Sequence, residues 1–319
     1  MTFDIRNYIE MIFYYKQDDG NFKIGQKDFI TFAIITFFLF LVRQIVFAVA
    51  GIWKDKVTKK KQLKYQQCVF QAVFRTTCVF VLLITMWKTD DFKRIMTPFM
   101  DQEFNQIIKR RVTIPLGYKF VYLLNLSYIS IMFPIVYKFE NGKGIILMYL
   151  HHIVTASVVL SSYMGNLWIH GIPIFFANDA GVFLLYYSKT CVYLVIKPLS
   201  TILFFSTFAF YLFFRGVTYP LHVFTAFRAM PIFTTTNQKI QYWVTIMAPL
   251  LVLQVMQLVW IKVLSKMAYN IIKYKRFDGD ARSDNEIIEN KENETNKNKK
   301  NSKKNSEDTT LKNKSRKQK

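Results

Sequence analysis

Seven stretches of about twenty residues carry almost nothing but apolar side chains, roughly 29–53, 68–87, 116–137, 145–164, 169–187, 198–214 and 243–264. A helix of that length rises about 30 Å, the thickness of a bilayer's hydrocarbon core. Inside lipid the backbone must satisfy its own hydrogen bonds, which a helix does and an open strand does not. The segmentation therefore predicts an all-α, polytopic integral membrane protein of about seven transmembrane helices. A composition that is 52% hydrophobic, with a mean hydropathy of +0.15, excludes a disordered chain, a collagen-like or disulfide scaffold and an ordinary cytosolic enzyme. Three cysteines, Cys68, Cys78 and Cys191, stand in no CxxC spacing and are expected as small buried hydrophobes without bridges. The first 28 residues are interrupted by acids and lack a compact apolar core followed by small residues. No cleavable signal peptide is expected, and the first span is expected to target the chain.

Against this apolar background stand 43 Lys+Arg and 21 Asp+Glu, a formal charge of +22. Much of the excess falls in KDKVTKKKQLK at 54–64, between spans one and two, and in the tail that begins near Lys273. The positive-inside rule puts both on the cytosolic side. Six crossings between them allow it, so the N-terminus is expected in the lumen. The segment 88–115 is then lumenal despite Lys109, Arg110 and Arg111, its carboxylates Asp90, Asp91, Asp101 and Glu103 weighing little in that rule. The expected organisation is a lumenal segment 1–28, a transmembrane domain 29–267 and a disordered, basic cytosolic tail 268–319. The tail solubilises the chain or meets anionic lipid head groups. No aromatics interleave its lysines, so nucleic acid is not an expected partner. Ser283, followed by Asp284 and Glu286, has the pattern of an acidic-directed kinase site and is the candidate regulatory residue. The terminal RKQK is similar to a dibasic retrieval signal of the endoplasmic reticulum.

Only four histidines occur, His151, His152, His170 and His222, with no HExxH or HxxxH spacing. Metal-centred chemistry is poorly supported by so few ligands, and neither a metal nor a bound cofactor is expected. His151 and His152 lie a third of the way into span four, where ionisable side chains are expensive and are functional candidates by default. Asp179, preceded by Asn178, lies within the next span, and a few residues (GNLW) join the two. The spans are thus antiparallel neighbours, and imidazole and carboxylate are able to meet inside the bundle. A carboxylate that orients an imidazole makes it a better base or nucleophile. The same residues also suit a helix-to-helix hydrogen-bond network without chemistry. Arg43 and Arg75, within spans one and two, are each expected to face a protein interior or to snorkel.

The run HHIVT, SSYMGN, a Gly and ND resembles the Lag motif of ceramide synthases, acyl-CoA-dependent N-acyltransferases of the TLC-domain superfamily. The register is gapless from His151 to Lys189 and matches His151, His152, Thr155, Ser162, Tyr163, Asn166, Gly171, Asp179, Leu185 and Lys189. KYQQCVFQ at 64–71, RGVTYP at 215–220 and DARSDNE at 280–286 are weaker likenesses. The chain departs from the motif at Ile169, Asn178, Val182 and Tyr186, where the family has Arg, His, Asp and Glu.

The resemblance implies a TLC-domain bundle in the endoplasmic reticulum membrane that transfers a fatty acyl group from CoA to the amine of a sphingoid base. His151 or His152 would then be base or acyl carrier, with Asp179 orienting it. Thr155, Tyr163, Asn166, Asn178 and Lys189 would bind substrate, the CoA head lying near Lys189 or the 54–64 run. Fatty acyl-CoA, a sphingoid base and membrane lipids are the implied partners, and assembly as a homo- or heterodimer is left open. The departures also suit another class, a non-catalytic TLC-domain protein that binds or senses sphingolipid or assists membrane processes of the endoplasmic reticulum.

Overall fold

The computed structural model describes residues 26–92, 114–138, 143–165, 167–228 and 235–274. The chain falls into two compact units, Met1–Phe277 and Asp278–Lys319. Ser283 and the tail from 278 on belong to the second unit and lie outside the described residues, and so does most of the expected lumenal segment 1–28.

Seven helices long and apolar enough to cross a membrane run through the described residues, as the hydropathy pattern predicts. Span one is α1 (Gln26–Gly51), and two short turns, Lys54–Lys56 and Lys59–Lys61, lead into span two, α2 (Gln62–Thr89). α2 starts six residues earlier than its apolar run at 68, because its polar first turns are helical outside the hydrocarbon. It ends at Asp90, in the left-handed region at φ 55°, where the N–H groups of Asp90 and Asp91 return to the carbonyls of Trp87 and Met86. That arrangement satisfies carbonyls a helix end would otherwise leave bare. Span three is α3 (Leu116–Met132), tightening into a 3-10 stretch at Phe133–Lys138. Pro134 accounts for the change, since it donates no N–H to the helical ladder. Span four is α4 (Lys143–Met164).

Span five is broken in its middle, α5 (Trp168–Ala180) and α6 (Phe183–Tyr193) being separated by Gly181 and Val182. Spans six and seven each contain a π-helical segment. Span six runs α7 (Lys197–Tyr211), the π segment Leu212–Thr218 and α8 (Tyr219–Arg228). Span seven runs α9 (Thr236–Tyr242), the π segment Trp243–Met247 and α10 (Ala248–Tyr274). Each π segment ends two residues before a proline, Pro220 and Pro249. A proline ring crowds the carbonyl four residues back and offers it no N–H, so the ladder slips to a wider register. Both spans are therefore longer than their apolar runs suggest, and α10 continues past 267, where the transmembrane domain was expected to end. At 38 residues span seven would extend about 57 Å as a helix, well beyond a hydrocarbon core of about 30 Å.

The bundle is organised around span five, 78% of whose apolar window is buried against 6% for span one. Span five packs on α2, α4 and span six, while α10 lies along α4. Span one instead leans on α2 and α3 and turns Phe29, Ile34, Phe37 and Phe38 outward, as a lipid-facing helix does. At one end of the bundle, Asp28 pairs with Lys119 at 2.5 Å and accepts the Tyr163 hydroxyl at 3.2 Å, tying α1, α3 and α4 together. Gly171 is needed for the packing of α5 on α3 and α4. A Cβ there would overlap the Tyr122 hydroxyl and come within 2.6 Å of the Ser162 oxygen.

Candidate functional site

The middle of the bundle collects the few polar side chains that apolar spans can carry. α2 supplies Arg75, α4 supplies His151, His152 and Thr155, and α5 supplies Asn178 and Asp179. The π segment of span six adds Arg215, and α10 adds Gln257 and Trp260.

Asp179 is 1% exposed and forms an ion pair with the Arg75 guanidinium. Arg75 also lies over the rings of Tyr128 and Phe74, 4.8 and 5.3 Å from their centroids. The Tyr128 hydroxyl in turn accepts from Gln71. Asp179 thus pairs with an arginine of α2, where the sequence left its partner open between a histidine and a helix-to-helix network. A carboxylate taken out of water gains most from a permanent, forked cation, and a neutral imidazole offers one donor at best. His152 is 5% exposed and within electrostatic reach of Arg75.

His151 is half-buried, its ring 5.6 Å from that of His152 and edge-on to the Trp260 indole at 5.1 Å. Thr155, one turn along, shares a hydrogen bond of 3.4 Å with His151 Nδ1 and so holds the ring's orientation. Asn178 is drawn into a second network. Its side-chain oxygen accepts from Gln257 Nε2 at 3.1 Å, and its carbonyl accepts from Arg215 Nη2 at 3.1 Å. Arg215 Nη1 donates to Gln257 Oε1 at 2.5 Å and to the Tyr211 hydroxyl at 3.1 Å. The break after Ala180 frees carbonyls at the end of α5, and the guanidinium caps one of them.

The remaining sequence candidates lie apart. Tyr163 is about three turns along α4 from His151 and is engaged with Asp28. Lys189 is half-buried on α6, ten residues beyond Asp179 and past the break. Asn166 lies outside the described residues. Ser162 and Gly171 serve packing, the Ser162 hydroxyl meeting Tyr122 at 2.7 Å and the Leu167 carbonyl at 3.1 Å. At the motif's departures, Ile169 and Val182 are buried in apolar clusters and Tyr186 packs against one.

Sequence reasoning did not assign Arg215, Gln257 or Trp260 to the site. The apolar run stops at 214, one residue before Arg215, although the helix continues to Arg228. The signal was present in RGVTYP at 215–220, an arginine flanked on both sides by apolar sequence.

The sequence profile of the TRAM/LAG1/CLN8 family, the TLC domain, matches residues 64–266. No curated protein matches the chain.

Proposed function

The chain belongs to the TLC-domain family, and on that premise we propose that it N-acylates a sphingoid long-chain base from a fatty acyl-CoA in the endoplasmic reticulum membrane. One observation carries the reading. Two adjacent histidines, one of them 5% exposed and within electrostatic reach of Arg75, lie in a span long and apolar enough to cross a membrane, in a bundle that also buries an Arg75–Asp179 pair. Such groups are costly in lipid and are found where they do work.

In the reaction an imidazole of His151 or His152 takes a proton from the substrate ammonium. The free amine attacks the thioester carbonyl, the C–N bond forms, the C–S bond breaks, and CoA leaves as its thiol after taking up a proton. A transient acyl-imidazole on one histidine is the covalent variant of the same chemistry. Asp179 acts through Arg75 in this scheme, holding the guanidinium beside His152 and balancing its charge. Thr155 orients His151. The CoA head belongs at the cytosolic face, near Lys189 and the 54–64 run, with both lipid tails between spans. Tyr163 is left out of substrate binding, being committed to Asp28.

His151→Ala and His152→Ala should abolish ceramide formation from labelled sphinganine and a panel of acyl-CoAs, in microsomes with unchanged protein levels. Unaltered transfer in both variants overturns the assignment.

A second reading, a lipid-binding TLC-domain protein without turnover, is favoured by a separate observation. Asn178 and Asp179 are both committed to neighbouring helices, through Gln257, Arg215 and Arg75. Val182→Asp separates the two, since a large gain in transfer marks an impaired enzyme and no transfer in either form marks a binding protein.

A further inference from the structure

Between the ends of spans one and two, at Gly51 and Gln62, the chain makes a turn that carries charge and apolar surface together. Residues 54–64 hold six lysines and one carboxylate, Asp55. Lys56 and Lys59 are exposed, and Lys56 Nζ lies 4.6 Å from the centre of the Trp53 ring. Beside them Ile52, Trp53 and Leu63 are 73, 50 and 41% exposed. The turn is built rather than loose. The Lys56 N–H returns to the Trp53 carbonyl and the Lys61 N–H to the Thr58 carbonyl, closing the two 3-10 turns. Val57 is buried against Ala50 and Tyr65, and its carbonyl accepts from Gln62 Nε2 at 3.3 Å. Tyr65 meets Tyr193 of α6 edge-on, with ring centroids 6.5 Å apart, which holds the base of the turn against the bundle. Folding thus buries the apolar Val57 and leaves Ile52, Trp53 and Leu63 outside, next to the lysines.

We propose that this turn is a docking surface for the bilayer itself and binds the acidic head groups of anionic phospholipids in the leaflet where span one ends. Depth is set by the helices. The apolar run of span two begins at 68, so residues 54–64 lie outside the hydrocarbon, at the level of the head groups. An indole is at home at that boundary, and a lysine stem lies along apolar surface while its ammonium reaches the phosphates. Apolar side chains beside lysines therefore fit a surface that is oily below and charged above. Charge selects the lipid, because Asp55 alone opposes six lysines and a head group with net negative charge gains what a zwitterionic one does not. CoA, whose phosphates also suit lysines, is the rival occupant, but its head group makes no use of Ile52, Trp53 and Leu63. The inference does not depend on acyl transfer, and its test needs no turnover.

The test uses the full-length protein in nanodiscs of phosphatidylcholine doped with spin-labelled phosphatidylserine or spin-labelled phosphatidylcholine. Trp53 is the reporter, its fluorescence taken as the difference between the wild type and Trp53→Phe, so that lipid gathered by the basic tail does not enter the reading. The acidic lipid should quench Trp53 at a mole fraction about fivefold lower than the neutral one, the worth of one lysine close to a charged surface. Lys56→Gln/Lys59→Gln, made in both backgrounds, should remove that preference while quenching by the neutral lipid persists, and Lys56→Arg/Lys59→Arg should keep it. Both pairs change exposed side chains, so folding is not at stake. The preference should also shrink in about 1 M salt, where screening acts over about 3 Å. Equal quenching by the two lipids overturns the proposal, and so does a preference that survives Lys56→Gln/Lys59→Gln. Free CoA added at micromolar concentration should leave the preference unchanged. Its loss under that addition overturns the proposal as well and gives the turn to the nucleotide head group.

Discussion

Removing the charge of Asp179 while keeping its shape, as in Asp179→Asn, leaves the Arg75 guanidinium among Tyr128, Phe74 and Cys78 with no carboxylate. The acid is 2% exposed at its side chain and the arginine 17%, so solvent replaces little of the lost attraction. Breaking one side of such a pair costs about 3–5 kcal/mol, most of it the penalty of the stranded charge. For a domain of this size that corresponds to a fall in Tm of about 6–20 °C. Arg75→Met should cost a similar amount, this time by stranding the carboxylate. The double variant Arg75→Met/Asp179→Asn strands neither, so its loss should be smaller than the sum of the two singles by at least about 2 kcal/mol. Thermal unfolding of the four proteins in nanodiscs closes the cycle. Additive losses would refute the pairing and return Asp179 to the histidines. The double variant also separates architecture from chemistry. If its stability recovers while acyl transfer stays absent, the charges at 75 and 179 serve His152 as well as the fold.

Gly171→Ala should lower stability by about 1–3 kcal/mol, seen as a reduced Tm, because the new methyl overlaps the Tyr122 hydroxyl. Adding Tyr122→Phe should recover part of it. Tyr163→Phe should cost about 1 kcal/mol through the lost Asp28 bond and leave activity per folded molecule unchanged, which an assay normalised to folded protein would check. Pro220→Ala restores an N–H and lets the π segment revert to α geometry, turning Arg215 away from Gln257. The expected readout is a lowered Tm from the lost bonds of Arg215 to Gln257 and to the Asn178 carbonyl, and an unchanged Tm would separate the register slip from the position of Arg215.

Much of the bundle was legible because lipid makes hydropathy a nearly sufficient statistic. The runs at 116–137 and 145–164 coincide with spans three and four to within a residue. What hydropathy alone misses is a helix that continues through polar residues. Span two gains its first turn from Gln62 to Gln67, and span six passes through Arg215. The site was legible to the same degree. The cost of an ionisable group in lipid singled out His151, His152, Asp179 and Arg75, and it left Arg75 either to face a protein interior or to snorkel. It did not choose among partners, and antiparallel neighbours made a histidine look natural for Asp179. The choice belongs to α2, which packs on span five and presents a guanidinium at the same depth. The break at Gly181 has a weaker signature, for a glycine inside an apolar run is tolerated by many helices.

The matched motif residues divide by what they touch. Ser162, Tyr163 and Gly171 are satisfied within the protein, by Tyr122, the Leu167 carbonyl, Asp28 and close packing. Altering them costs stability first. Asp179 is satisfied too, but by a charge that also faces His152, so it belongs to the architecture and bears on the chemistry through Arg75. His151 meets the Thr155 hydroxyl and the Trp260 indole, and Arg215 meets the Tyr211 hydroxyl, the Gln257 side chain and the Asn178 carbonyl. The Arg215 guanidinium joins the broken end of α5 to α10, so altering it costs stability first, as it does for the other satisfied residues.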